Sequence, residues 1–356
     1  MTGPNQSITP REAAAGSFDI IIDIRTHGGS TPTLPGALLI TAHNLTSDPA
    51  RFIPNRDAPV LIVCDIGMRS LTVVEQLHGA GYVASISLEG GMEEWIAQDL
   101  PVVTPEGLST AEFRRYDRQL KLPGVGVAGQ LDLQRARVAV VGAGGLGTPV
   151  LAYLAGAGVG NLTIVDSDRI EVSNLHRQPI YTTQDVGAGK ARAAASFVKA
   201  LNPEITVTPI SERLDSSNAP DLLAHHDVVV TCTDSFDTTH AINQAALHHR
   251  IPMVFGSVYR FEGQLGVFDA QNGPCYACVF PQHTGGTSLD CSIVGVMGPV
   301  TGVIGGMQAA EVMKLLTCIG DPIIGRLHLY DSRTQILDSV QIRKNPACTM
   351  CGLLTP

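Results

Sequence analysis

Residues 137–147 read RVAVVGAGGLG, a run of small and β-branched apolar residues that ends in a cluster of glycines. The apolar run predicts a buried parallel strand. Gly142, Gly144 and Gly147 have the G-x-G-x-x-G spacing of a turn between a strand and a helix, where the backbone can approach a phosphate or a ribose closely. The stretch therefore predicts the start of a doubly wound, Rossmann-like sheet, with either a nucleotide site or a plain tight turn at the glycines.

Strands and helices alternate on both sides of this stretch, which predicts an α/β fold with a largely parallel sheet. Downstream, the predicted strands cover residues 161–166, 205–210, 227–232 and 252–256, and the predicted helices begin near residue 146 and cover residues 190–200 and 237–248. Upstream, a smaller set consists of strands at 18–23 and 60–64, a helix at 69–81 and a strand, glycine turn and helix at 86–95.

Two prolines and a glycine in residues 100–108 indicate a linker between these two sets. Ser109 and Glu112 follow it with the spacing of a capping box, so a helix is expected to start there. We therefore predict a small α/β domain over residues 1–104 and a larger domain over residues 105–356.

The composition limits the kind of protein. A hydrophobic share of 44% and a charged share of 16% argue against disorder. The chain has no apolar run of about 18 residues, and its N-terminus lacks a signal-peptide pattern, so we expect a cytoplasmic protein without a membrane span. The net charge of −9 argues against direct binding to nucleic acid or to an anionic membrane.

The residues after the glycine turn distinguish between kinds of nucleotide. Asp166 ends the next strand, where an acid can bind ribose hydroxyls, and this alone fits an NAD-dependent oxidoreductase. A nicotinamide site has little use, however, for the polar and charged residues nearby in sequence, which are Arg118, Asn174, Arg177, Lys190 and Asp234. Cations neutralise the charge of a triphosphate, and an acid can hold Mg²⁺, so this set favours ATP with Mg²⁺.

Four of the eight cysteines form two C-x-x-C pairs, Cys275 with Cys278 and Cys348 with Cys351. Two such pairs supply the four thiolates of a closed structural zinc site, in which no position is left for water. A single pair would be equally consistent with redox chemistry. Cys232 and Cys318 are expected in the core of a strand and of a helix.

Two further cysteines are candidate nucleophiles. Cys64 ends a predicted strand and opens CDIGMR (64–69), where loop amides, a helix N-terminus and Arg69 would stabilise a thiolate. The alternative is a buried cysteine at the end of a core strand. Cys291 lies in a glycine- and serine-containing stretch that we expect to form a mobile loop over the nucleotide site.

The larger domain resembles a known family over residues 109–352. The motifs that carry the resemblance are RYDRQ (115–119), GAGGLG (142–147), DSDRIEVSNLHRQ (166–178), Lys190, CTDS (232–235) and the two C-x-x-C pairs. Together they are similar to the MoeB/ThiF family, relatives of ubiquitin-activating enzymes. The resemblance implies ATP-dependent adenylation of the C-terminal glycine of a small ubiquitin-like sulfur-carrier protein that ends in Gly-Gly.

The same resemblance implies roles for individual residues. Asp166 would bind the ribose, and Asp234 would serve Mg²⁺. The phosphates would be bound by Asn174, Arg177, Lys190 and, from the other subunit of a homodimer, Arg118. In several relatives the cysteine that matches Cys291 forms a transient covalent link with the carrier.

The first hundred residues resemble rhodanese-like domains over about residues 8–104. The matching motifs occur in the same order and are DIR (23–25), LPGALLI (34–40), CDIGMR (64–69) and LEGGMEEW (88–95). The resemblance implies that Cys64 bears a persulfide supplied by an upstream sulfur donor, such as a cysteine desulfurase, and that Asp23 and Arg25 are scaffold residues. Related fusions carry this domain after the adenylating domain, so its order here is unusual.

The sequence thus predicts adenylation of a carrier followed by sulfur transfer, which yields a thiocarboxylate for molybdopterin synthesis, thiamine synthesis or tRNA thiolation. Three alternatives remain. They are an NAD-dependent oxidoreductase with a regulatory N-terminal domain, a non-catalytic scaffold that binds a carrier and zinc, and a tRNA-modifying adenylase, against which the acidic charge counts.

Overall fold

The computed structural model describes residues 6–25, 31–104, 107–282 and 295–352. The chain divides into two compact units, Met1–Asp117 and Arg118–Pro356. The domain boundary expected near residue 104 stays a prediction. The capping box at Ser109 is confirmed, because Ser109 Oγ accepts a hydrogen bond from the Glu112 amide at 3.2 Å and the Glu112 carboxylate accepts one from the Ser109 amide at 2.8 Å.

The first unit is built on a five-stranded parallel sheet with the strand order β1-β5-β4-β2-β3. Its strands are β1 Ser7–Ile8, β2 Ile20–Asp23, β3 Leu38–Leu39, β4 Val60–Val63 and β5 Ser85–Leu88. Its helices are α1 Pro10–Ala15, α2 Ala42–Ser47, α3 Pro49–Phe52, α4 Met68–Gly79 and α5 Gly91–Ala97, and α6 Thr110–Leu120 contains the division between the units. Every residue of the central strand β4 is buried, as its apolar sequence predicts.

The second unit is built on an eight-stranded sheet with the order β13-β12-β11-β10-β9-β6-β7-β8. Its strands are β6 Arg137–Val141, β7 Asn161–Val165, β8 Thr206–Ile210, β9 Val228–Thr231, β10 Met253–Tyr259, β11 Glu262–Phe268, β12 Arg326–Asp331 and β13 Ile336–Gln341. Its helices are α7 Gly126–Arg135, α8 Gly147–Ala157, α9 Lys190–Leu201, α10 Ala219–Leu223, α11 Phe236–His249, α12 Tyr276–Val279 and α13 Gly298–Thr317.

The strand β6 lies at the point where the order of the sheet reverses. It pairs in parallel with β7 on one side and with β9 on the other, with Val138 opposite Leu162 and Val228. Such a reversal opens a crevice at the carboxyl ends of the strands, where doubly wound folds bind ligands. The predicted α/β fold with a largely parallel sheet is therefore confirmed, and the glycine turn lies at the carboxyl end of β6.

The strands β11, β12 and β13 extend the sheet in antiparallel fashion and were not predicted from the sequence. All six residues of β13 are exposed, so this edge strand has no apolar alternation by which to recognise it. Helices α8, α9 and α13 contribute to the apolar cluster on one face of the sheet, and α11 packs on the other face. Within the described parts of the chain, no helix combines the length and apolarity needed to cross a membrane.

Candidate functional site

The glycine turn after β6 is tightly packed at two of its three predicted glycines. A Cβ atom at Gly142, whose φ is +100°, would lie 2.5 Å from the carbonyl oxygen of Cys232, and one at Gly147 would lie 1.9 Å from that of Gly142. A Cβ atom at Gly144 would meet only an ordinary contact of 3.6 Å with Gln178 Nε2. The packing of the chain therefore requires glycine at the first and third positions, and the middle position leaves open a surface that a bound ligand can approach.

Asp166, directly after β7, is held against this turn. Its Oδ2 accepts a hydrogen bond from the Ala143 amide at 2.7 Å, and its Oδ1 accepts one from the Asp168 amide at 2.8 Å. Burial raises the pKa of the Asp166 carboxyl, and these two amides and the charge of Lys190 oppose that shift. Each carboxylate oxygen keeps further acceptor capacity, so Asp166 can accept hydrogen bonds from ribose hydroxyls beside the glycine turn.

Lys190 begins α9 and is buried, with its Nζ 2.8 Å from Asp168 Oδ2. Asp168 itself is largely exposed, so the ion pair lies at the edge of the crevice. The Tyr181 hydroxyl donates to the Ala143 carbonyl at 2.8 Å and lies 3.3 Å from the Lys190 carbonyl, which ties the start of α9 to the glycine turn. Asp168 has no role predicted from the sequence, although it belongs to the motif at 166–178.

Asn174 and Arg177 lie in the segment that follows β7. Buried Gln178 donates from Nε2 to Asn174 Oδ1 at 2.9 Å, which leaves the Asn174 amide nitrogen as the group that can donate to a ligand. Arg177 donates to the Ser173 carbonyl at 2.9 Å and lies 2.9 Å from His176 Nε2. Gln178 likewise has no role predicted from the sequence, and its position next to Arg177 in the motif is the signal that points to it.

Asp234 and Arg118 are both exposed. Asp234 follows β9 by three residues, and β9 pairs with β6 so that Thr231 lies opposite Val141. The Cys232 amide donates to the Val141 carbonyl at 2.8 Å, so the loops after β6 and β9 leave the sheet side by side. Arg118 lies in the last turn of α6. The roles of both residues stay predictions.

The two C-x-x-C pairs meet in space. The distances between sulfur atoms are 3.7 Å for Cys275 and Cys278, 3.8 Å for Cys275 and Cys348, and 3.4 Å for Cys278 and Cys351. A tetrahedral ion with Zn–S bonds of about 2.3 Å places its sulfur ligands roughly 3.8 Å apart. The cluster therefore fits a zinc ion with four thiolate ligands, as the spacing predicts.

The two cysteines expected in the core differ. Cys232 is buried, and burial raises the pKa of its thiol. Cys318 is exposed, which contradicts the prediction. The reason is that α13 ends at Thr317, so Cys318 is its C-terminal cap in the left-handed region, with φ of +56°, and no longer follows the helical face.

Cys64 follows β4 directly, and its sulfur faces the amides of the loop that leads into α4. Sγ accepts hydrogen bonds from the Gly67 amide at 3.2 Å and from the Ser70 amide at 3.3 Å, and it lies 3.3 Å from Ser70 Oγ. A Cβ atom at Gly91 would lie 2.4 Å from the Cys64 carbonyl oxygen, so the glycine turn before α5 buttresses this loop. The arrangement suits a thiolate because a buried anionic sulfur needs donors around it.

Charged residues near Cys64 have other partners. Arg69 forms an ion pair with Asp65 at the surface. The hydrogen-bond partners of Cys64 Sγ are the Gly67 amide and the amide and hydroxyl of Ser70, and the Arg69 guanidinium is not one of them. Asp23 and Arg25 form a buried ion pair with an N–O distance of 2.6 Å, in keeping with a scaffold role. Cys291 lies outside the described residues.

Two family models match this chain, one in each of the two units. Residues 116–350 match the model of the ThiF family, and residues 9–98 match that of the rhodanese-like domain. This chain belongs to the ThiF family. The match of residues 9–98 agrees with the rhodanese-like resemblance seen in the sequence.

Relatives of this ThiF-family chain carry names for two activities. It is 47% identical to the sulfur carrier protein adenylyltransferase of Thermus thermophilus, over 68% of this chain and 91% of the relative. It is 44% identical to the SAMP-activating enzyme E1 of Haloferax volcanii, over 69% of this chain and 91% of the relative. It is 41% identical to the adenylyltransferase and sulfurtransferase MOCS3 of Caenorhabditis briggsae, over 73% of this chain and 63% of the relative.

Solved structures agree with the ThiF-family fold. The crystal structure of Escherichia coli MccB with ATP superposes with a TM-score of 0.60 at 20% sequence identity, over 80% of this chain and 82% of the other. At this identity the likeness establishes the fold alone.

Proposed function

We propose that this chain is an adenylyltransferase and sulfurtransferase that acts on a small ubiquitin-like sulfur-carrier protein. The observation that carries the proposal is the presence, in one chain, of a ThiF-family unit and a rhodanese-like unit whose Cys64 lies among loop amides. The names of the relatives support it, because they include a sulfur carrier protein adenylyltransferase and an adenylyltransferase and sulfurtransferase. The product is a carrier thiocarboxylate for molybdopterin synthesis, thiamine synthesis or tRNA thiolation.

In the first step, the carrier's C-terminal carboxylate attacks the α-phosphate of ATP. A bond forms between the carboxylate oxygen and phosphorus, and pyrophosphate leaves with the electrons of the broken bond. A carboxylate is a poor electrophile, and the mixed anhydride with AMP gives it a good leaving group. A slim Gly-Gly end on the carrier suits a crevice that leads to the glycine turn.

The residues of the crevice divide this work between ribose and phosphates. Asp166 accepts hydrogen bonds from the ribose, Lys190 and Arg177 neutralise the phosphates, and the amide of Asn174 orients them by donating a hydrogen bond. Lys190 exchanges its ion pair with Asp168 for a phosphate contact when the nucleotide binds. Asp234 would hold Mg²⁺, which would neutralise charge on the phosphates and so favour the departure of pyrophosphate.

Two further elements complete the proposal in the ThiF-family unit. The chain acts as a homodimer, and the partner's Arg118 reaches the phosphates. The four-cysteine cluster would hold zinc as a structural ion that joins residues 275–278 to residues 348–351, because four thiolates leave no open position for catalysis.

In the second step, sulfur passes from Cys64 to the activated carrier. An upstream donor such as a cysteine desulfurase first loads Cys64 with a persulfide. The terminal sulfur then attacks the acyl carbonyl, and AMP leaves. A second thiol, for which Cys291 is our candidate, attacks Sγ of Cys64 so that the sulfur–sulfur bond breaks, the thiocarboxylate is released and the two thiols end as a disulfide.

The test combines the full-length enzyme, ATP, a persulfide donor and candidate carriers that end in Gly-Gly. Carrier-dependent exchange of pyrophosphate into ATP reports adenylation, and the intact mass of the carrier reports the replacement of oxygen by sulfur. We expect Cys64→Ala to abolish sulfur incorporation but not exchange, and Asp234→Ala to abolish both. Cys318→Ala, which removes an exposed thiol outside both sites, is the matched control and should retain both.

The same experiment distinguishes the alternatives. An NAD-dependent oxidoreductase would bind nicotinamide dinucleotide and show no exchange, and a scaffold would bind the carrier without exchange. The names of the relatives favour neither. Absence of exchange with every carrier tested, together with tight binding of NAD, would overturn the proposal.

A further inference from the structure

Two buried serine hydroxyls lie behind the sulfur of Cys64, and the proposed function gives them no role. Ser70 and Ser87 are 0% and 1% exposed. Ser70 Oγ lies 3.3 Å from Cys64 Sγ, and Ser87 Oγ donates to Ser70 Oγ at 2.8 Å. The sulfur is therefore the first member of a chain of three side chains, and the two serine hydroxyls of that chain are closed off from water.

Both hydroxyls also reach one backbone acceptor, the carbonyl of Gly67. Ser70 Oγ lies 3.1 Å from this oxygen, and Ser87 Oγ lies 3.4 Å from it. A hydroxyl has a single hydrogen to donate, so Ser70 can direct it either to Gly67 or to the sulfur of Cys64. When Ser70 turns toward the sulfur, Ser87 is within reach of the carbonyl that Ser70 releases.

The protonation state of Cys64 decides between these two arrangements. A thiol can donate its own hydrogen to Ser70 Oγ while Ser70 donates to Gly67. A thiolate can only accept, so it needs a donor where the thiol needed an acceptor. Rotation of two O–H bonds makes that exchange without moving a heavy atom and without leaving a buried polar group unpaired, which would be costly in this closed setting.

The geometry points to Ser70 as a third hydrogen-bond donor to the thiolate of Cys64, beside the Gly67 and Ser70 amides, and to Ser87 as the positioning residue that takes over the Gly67 carbonyl. This inference rests on the proposed function, because it is the thiolate that accepts sulfur from the donor. In that step Sγ forms a bond to the outer sulfur of the donor persulfide, the donor's sulfur–sulfur bond breaks, and the donor leaves as a thiolate that takes up a proton. The serine protons turn and are not transferred.

The test is the pH dependence of alkylation of Cys64 in the full chain, read peptide by peptide with iodoacetamide and mass spectrometry. Loss of a hydrogen bond to a charged group lowers the thiolate fraction about tenfold at a given pH, so Ser70→Ala should raise the midpoint of the alkylation curve by about one pH unit. Ser87→Ala should raise the midpoint by a smaller amount, which corresponds to a loss of roughly threefold in thiolate fraction at a given pH. The reason is that Ser70 then divides its hydrogen between Gly67 and the sulfur.

The double variant makes the inference specific. Without Ser70 Oγ, Ser87 has no route to the sulfur, so Ser70→Ala/Ser87→Ala should have the midpoint of Ser70→Ala alone, whereas independent effects would add. Thr72→Val removes an exposed hydroxyl from the same helix and should leave the midpoint unchanged. Wild-type midpoints in both single variants, or additive shifts in the double variant, would overturn the inference.

The outcome is separable from that of the proposed function. Alkylation needs no carrier, ATP or sulfur donor, so the midpoints can be measured even if Cys64 accepts no sulfur. Conversely, sulfur transfer with unshifted midpoints would remove only the role of the serines. If Ser70→Ala does not fold, Ser87→Ala alone decides, because the inference requires that its midpoint rise.

Discussion

Two glycines in helix α8 allow the packing of the glycine turn to be tested within one element. A Cβ atom at Gly147 would lie 1.9 Å from the carbonyl oxygen of Gly142, whereas one at Gly156, which is exposed, meets nothing within 4 Å. Carbon and oxygen atoms rarely approach closer than about 3.3 Å, so Gly147→Ala forces the turn and the helix apart by about 1.4 Å. Gly156→Ala requires no such movement.

The two variants should therefore change stability in opposite directions. Overpacking against backbone places Gly147→Ala near the upper end of the usual range, at about 3 kcal/mol of lost stability. Alanine at the exposed position of Gly156 gains roughly 0.5–1 kcal/mol, because glycine is the poorer helix former. For a unit of this size each kcal/mol shifts the Tm by about 2–4 °C, so Gly147→Ala should melt roughly 6–12 °C lower and Gly156→Ala about 1–4 °C higher.

Thermal melting by circular dichroism and ATP titration by calorimetry measure both effects. Moving the turn takes its amides out of hydrogen-bonding range of a phosphate, so the affinity of Gly147→Ala for ATP should fall about tenfold or more, while that of Gly156→Ala is retained. A Gly147→Ala variant that melts with the wild-type protein and binds ATP equally well would contradict this account of the packing, as would a Gly156→Ala variant that loses as much stability as Gly147→Ala.

Two further predictions concern the zinc cluster and a buried histidine. Elemental mass spectrometry of the purified chain should detect zinc. Cys351→Ser should lose the zinc because three thiolates no longer complete the tetrahedron, while Cys318→Ser, which changes an exposed cysteine outside the cluster, should keep it. Equal zinc content in the two variants would argue against the cluster as the zinc site. Burial lowers the pKa of His240, so below about pH 6.5 this side chain binds a proton more readily in the unfolded chain than in the folded one, and stability falls as the pH falls. His240→Phe should therefore flatten the slope of Tm against pH between about 5.5 and 7. An unchanged slope would contradict this.

The sequence was sufficient for the parallel strands of the larger sheet and for β2, β4 and β5 of the smaller one, whereas the two-residue strands β1 and β3 were not predicted. Strand β6 has the predicted bounds, 137–141, and the predicted helix 190–200 becomes Lys190–Leu201. These elements were recognisable because a strand buried on both faces is a continuous apolar run and the glycine turn after it has a fixed spacing. The antiparallel edge strand β13 was missed because it is exposed along its whole length and carries no such run.

Local spacing in the sequence identifies the groups that carry the chemistry of this protein, which are the glycine turn, the cations and acids that follow it, the two cysteine pairs and Cys64. The hydrogen-bond and ion-pair partners of these groups become visible in the folded chain. It pairs Lys190 with Asp168, orients Asn174 through Gln178, turns Arg69 to Asp65 and places Ser70 and Ser87 behind the Cys64 sulfur. The reason is that a side chain's hydrogen bonds depend on which loops meet at the carboxyl ends of neighbouring strands, and the order of strands in the sheet fixes that meeting.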